Sequence, residues 1–137
     1  MRARLAPLLL ALVAATGARA APLDPAGFEA LAEGHTLRFT RHGAPFGAEQ
    51  YFPGRRSLWQ YPDGSCAEGV WWPEGDRVCF SYGPGAEREC WRFESGPTGI
   101  SVRFVEGGAD VPAGALVLDL AGRDEMPLAC PGPDVGS

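Results

Sequence analysis

The sequence predicts an all-β protein: an eight-stranded antiparallel meander, closed as a small up-and-down barrel, with one short N-terminal helix. Three observations predict it. From residue 35 onward, apolar and polar residues alternate with a period of two. Gly and Pro interrupt that alternation at nearly regular spacing. The cysteines are four, an even number, and stand too far apart in sequence for a close-paired zinc site, so they read as two disulfides.

The elements follow in chain order. Arg2 and Arg4 precede an apolar run over 5–15, and Ala18-Arg19-Ala20 puts small residues where a signal peptidase reads. Residues 1–20 are therefore expected to be a secretory signal, cut after Ala20, and residues 21–137 a single disulfide-stapled β domain. The alternative is an ordinary N-terminal helix. The run is too short to span a bilayer, which takes about 20 residues, and no later segment is apolar enough to act as an anchor. Asp24-Pro25 supplies an N-cap acceptor followed by proline at the first helical position, and Gly34 a C-cap, which predicts a helix over 25–33. The expected strands are 35–40, 49–52, 55–61, 66–72, 77–82, 88–94, 100–105 and 115–120, followed by an irregular tail from Gly122. Closing eight sequential strands into a barrel removes exposed edges; an open curved sheet packed on the helix is the alternative.

The central strands carry their own register. A turn tipped by Glu74-Gly75 sets Trp71 against Val78 and Val70 against Cys79. A turn tipped by Pro84-Gly85 sets Cys79 against Cys90 and Phe80 against Glu89. One face then carries Trp71, Val78, Phe80, Tyr82, Trp91 and Phe93, while the other is mostly charged, as a half-buried antiparallel sheet requires. In this register Cys79 and Cys90 oppose each other within disulfide reach. Cys66 is too far from either, which leaves the tail residue Cys130 as its partner. The expected pairs are Cys79–Cys90 and Cys66–Cys130.

Charge and composition exclude several functions. The chain has a formal net charge of −5 from 12 basic and 17 acidic residues; loss of Arg2, Arg4 and Arg19 with the signal takes it to −8. Nucleic acid and anionic lipid both need local positive charge, so neither is an expected partner. Every basic residue is arginine, and lysine and asparagine are absent, a GC-rich coding bias that points to a bacterial periplasmic or secreted protein. His35 and His42 have no visible catalytic partner, no serine sits in a Gly-x-Ser-x-Gly elbow, and the glycine-rich loops open no helix. No catalytic residue, metal or cofactor is expected, although scattered carboxylates leave a catalytic pair open.

Two strings are candidate sites. The aromatic set of Trp59, Tyr61, Trp71, Phe80, Tyr82, Trp91 and Phe93 reads either as core or as the lining of a pocket for an apolar or aromatic ligand, since a small barrel can hold one. Tyr and Trp carry polar ends that a dry core has to satisfy. Arg55 and Arg56, after the Pro53-Gly54 turn, read either as solvated or ring-stacked charge, or as an anion clamp at the barrel mouth. The candidate ligand-binding residues are thus Trp59, Tyr61, Trp71, Tyr82, Trp91, Arg55 and Arg56.

The strings Tyr51-Phe52-Pro53-Gly54-Arg55-Arg56, Trp59, Gly64-Ser65-Cys66, Glu68-Gly69, Trp71, Cys79-Phe80, Tyr82, Cys90-Trp91 and Cys130-Pro131-Gly132-Pro133-Asp134-Val135-Gly136 run through nearly the whole mature chain. In them the chain resembles an uncharacterised family of small exported (periplasmic) proteins of alphaproteobacteria. The resemblance implies that all four cysteines belong to the pattern, and implies no activity. In architecture alone the chain is also similar to eight-stranded periplasmic lysozyme inhibitors and to lipocalin-like or avidin-like barrels, whose motifs it lacks. The expected function is a non-enzymatic periplasmic binding module for a small apolar or aromatic ligand. The alternative is a protein-interaction module, such as an inhibitor of a periplasmic or cell-wall hydrolase; a hydrolase ranks third.

Overall fold

Asp24 accepts a hydrogen bond from the Gly27 amide (2.7 Å) and Pro25 occupies the first turn, so helix α1 spans Pro25–Ala32. The structure, a computed structural model, describes residues 14, 17, 19–107 and 111–131; the expected signal peptide lies almost wholly outside the described residues. Strand β1 (Ala21–Pro22) precedes the helix. After it come β2 (Thr36–Arg41), β3 (Ala44–Phe52), β4 (Arg56–Gln60) and β5 (Cys66–Glu74). The second half holds β6 (Arg77–Ser81), β7 (Glu89–Gly96), β8 (Gly99–Glu106) and β9 (Val117–Asp124). From β2 onward each strand pairs antiparallel with the next, and β9 returns to β2. The result is a closed eight-stranded antiparallel barrel among the described residues, without the free edges of an open sheet. β1 sits outside the ring, pairing with Glu94 and Ser95 where β6 does not reach β7.

Most element ends shift by one or two residues from the sequence expectation, and three differences bear on the site. β5 continues through Pro73 to Glu74, and the hairpin closes on Gly75-Asp76, with Gly75 at φ 64°. Trp71 therefore pairs with Phe80, not Val78, and Val70 with Ser81, not Cys79. The slide is two residues, so each side chain keeps its face. β3 begins at Ala44, five residues before the expected start, because Pro45 and Gly47 read as strand breakers and are not. Gly47 is needed there: a side chain at this position would run into the Trp59 ring and the Gln60 carbonyl. β9 extends past Leu120 to Asp124, with a bulge opposite Arg38/Phe39 that absorbs Ala121.

The helix lies over one end of the barrel and plugs it with Phe28. Phe28, 1 % exposed, meets Phe93, Trp71 and Tyr51 at ring-centroid distances of 4.7, 5.1 and 5.7 Å, edge-on in each case. Leu37, Phe39, Val102 and Leu118 complete the layer beneath.

Disulfides join Cys79 to Cys90 across β6 and β7, and Cys66 to Cys130, so all four cysteines are paired. The tail after β9 is a strap across four strands. Thr36 donates to the Met126 carbonyl (2.7 Å), Gln50 accepts from the Leu128 amide (2.9 Å), and Gln60 donates to the Ala129 carbonyl (2.7 Å). The Cys66–Cys130 bond then fastens it to β5.

Candidate ligand cavity

Because the helix fills one end of the barrel, the other end stays open. A cavity of about 260 Å³ occupies it. Strand alternation builds its walls: Trp59 from β4, Phe80 from β6, and Glu89 and Trp91 from β7 all point inward. Tyr61, 45 % exposed, stands at the rim with Pro62. Phe46 and Leu116 add apolar surface. Tyr82 follows β6 and stacks on Phe80 with parallel planes, centroids 6.1 Å apart. It fits because Gly69 faces it: a Cβ there would come within 2.7 Å of the Tyr82 ring.

Glu49 is the polar centre of this wall. It lies between Leu37 and Trp59 on the neighbouring strands and is only 2 % exposed. Its Oε2 accepts a hydrogen bond from the Tyr82 hydroxyl at 2.8 Å. Its Oε1 has no partner among the described residues, and neither does the buried Ser57 hydroxyl on β4. Burial pushes the Glu49 carboxyl up to about 8, and the negative charge of Glu89 adds to the rise; the Ser57 and Tyr82 hydroxyls pull the other way. Burial likewise raises Glu89. Tyr51 and Tyr82 lie well above the usual phenol range, first through burial and then through the charge of Glu49.

The sequence-derived candidates divide between the two ends of the barrel. Trp59, Tyr61, Tyr82 and Trp91 line the cavity. Trp71 is buried at the plugged end, its Nε1 without a partner and the Arg55 guanidinium over its ring at 5.5 Å. Arg56 lies over the Phe52 ring at 5.6 Å and borders a separate surface groove. Neither arginine lines the cavity. His35 bonds locally to the Glu33 carbonyl and approaches Arg123, while His42 is exposed in the β2–β3 turn. Glu74, Cys79 and Cys90 cluster on the outer face, but the sulfurs are bonded to each other and offer no thiolate to a metal.

Sequence reasoning missed the polar site residues Glu49, Tyr51 and Glu89, and with them apolar lining such as Phe39, Phe46 and Leu116. The signal was present. Placing Phe80 opposite Glu89 already put that carboxyl on the aromatic face, and Glu49 is two residues from Tyr51 on one strand, so the two share a face. No family model, curated protein or solved structure matches the chain.

Proposed function

We propose that the protein is a non-enzymatic binding module that holds a small apolar or aromatic ligand in the open half of its barrel. The observation that carries this reading is the cavity itself. Its volume of about 260 Å³ exceeds the roughly 150 Å³ of an engineered apolar cavity that takes up benzene. Its walls are mostly rings and aliphatic side chains, with a few polar groups that can orient a guest.

The same proposal places the protein in the periplasm or outside the cell, in keeping with its likeness to small exported proteins. Both disulfides suit an oxidising compartment. β1 begins at Ala21, directly after the expected cut, and is tied into β7. The intact mass of the protein recovered from its natural compartment should start at or near Ala21; a full-length cytoplasmic product would overturn the export reading.

The binding reading is tested with toluene and naphthalene, followed by amide and indole NMR shifts. Shifts should concentrate at Trp59, Tyr82 and Trp91. Trp59→Ala should weaken binding at least tenfold. Shifts confined to other surfaces, or none at saturating probe, would reject the cavity as a binding site, and chemical conversion of a bound guest would reject the non-enzymatic reading.

A further inference from the structure

The cavity is uneven in charge. Glu49 and Glu89 both face it, and among its described lining residues there is no arginine or histidine; lysine is absent from the whole chain. Glu49 is a buried carboxyl on the wall of an otherwise apolar space, with Tyr82 donating to Oε2 and the Ser57 hydroxyl facing it as its other polar neighbour. The rings around it, Trp59, Phe80, Tyr82 and Trp91, present negative faces to whatever occupies the centre. Aromatic walls beside a carboxylate recognise ammonium groups. A hard metal ion is a poor match, because it asks for six or more oxygen ligands and most of this wall is carbon.

We propose that the ligand of this barrel is an organic cation: an apolar or aromatic body carrying one protonated amine, whose N–H donates to the Glu49 carboxylate. The inference rests on the binding reading above and specifies the chemistry of the guest. The acidic wall disfavours anions, and the carbon wall takes the body of the ligand. The groups facing the Glu49 carboxyl are Tyr82 from the segment after β6, Ser57 from β4, Glu89 from β7 and Tyr51 from its own strand. Glu89 is the one charged group among them. The ammonium therefore meets negative charge and hydroxyls only. Since burial holds Glu49 largely protonated at neutral pH, binding of the cation releases that proton to solvent, and the preference for the amine weakens as pH falls.

The test compares 2-phenylethylamine with propylbenzene, which replaces the ammonium by a methyl group, and with 3-phenylpropanoate as the anion. Calorimetry at pH 7.5 should show the amine binding at least tenfold tighter than propylbenzene, and the anion weakest. In buffers of different ionisation enthalpy, the amine alone should release a proton. Glu49→Gln should abolish the preference while still binding propylbenzene, which shows that the variant is folded. Should that variant fail to fold, Glu89→Gln should reduce the preference at least threefold. Equal or tighter binding of propylbenzene to the wild-type protein overturns the cation inference and leaves the binding reading standing. Failure of all three probes to bind overturns both.

Discussion

Glu49→Gln should change the way stability depends on pH. In the folded protein burial holds the Glu49 carboxyl at about 8, against an ordinary value of 4.5. An unfolded chain returns it to the ordinary glutamate range. Between those two values the folded state binds more protons than the unfolded state, so the stability of the wild-type protein falls as pH rises through the window. At 1.36 kcal/mol per pKa unit, the full displacement is worth about 5 kcal/mol, and roughly 4 kcal/mol of it is lost between pH 5 and pH 8. Glutamine keeps the carbonyl that accepts from Tyr82 and cannot ionise, so its stability should lack this slope. A constant offset in the variant, whose amide nitrogen also needs a partner, leaves the pH-dependent difference unaffected. Glu89, also raised by burial, titrates in both proteins and largely cancels. Tyr51 and Tyr82 titrate far above the window. Urea unfolding at pH 5, 6, 7 and 8, with disulfides intact and ionic strength fixed, measures the difference. Variant and wild type differing by the same amount at every pH, within about 1 kcal/mol, would refute a buried, proton-holding Glu49.

Two further outcomes follow from the packing. Phe28→Ala removes the plug that touches Tyr51, Trp71 and Phe93, and should cost about 3–5 kcal/mol in urea unfolding; a loss under about 1 kcal/mol would mean that the barrel closes without the helix. The Cys66–Cys130 bond closes a separation of 64 residues and Cys79–Cys90 one of 11. In the loop-entropy account, replacing the first pair by serine should therefore cost about 4 kcal/mol and the second about 3 kcal/mol. Hydrogen exchange in the first variant should accelerate in the strap at Met126 and Leu128, with the barrel amides still protected; loss of protection throughout the barrel would show that the strap holds the ring shut.

Much of the fold was legible because strand periodicity is local. The apolar residues on alternate positions of β6 and β7 oppose one another through a short Pro-Gly-containing connection, and that placed Cys79 against Cys90. The same reasoning slid β5 by two residues, since Pro73 looked like a turn and is a strand residue. It also lost the first half of β3, where Pro45 and Gly47 serve close packing and not a turn. Glu49 was missed for a related reason: a carboxylate at the start of a short predicted strand reads as a solvent-facing end. With β3 extended, Glu49 becomes a mid-strand residue facing the lumen.

The sequence by itself determined the all-β class, the order of the eight barrel strands, the capped helix and the face taken by the aromatic residues of β5, β6 and β7. These depend on neighbours in the chain and on a period of two. Only the tertiary structure decided that β9 closes on β2, that Phe28 fills one end of the ring, and that the aromatic face is solid at Trp71 and open at Trp59. It also decided that Glu49 and Glu89, 40 residues apart in sequence, share one cavity with no arginine among its described lining residues. Local patterning says which way a side chain points; whether the space it points into is filled depends on the helix and on strands from the far end of the chain.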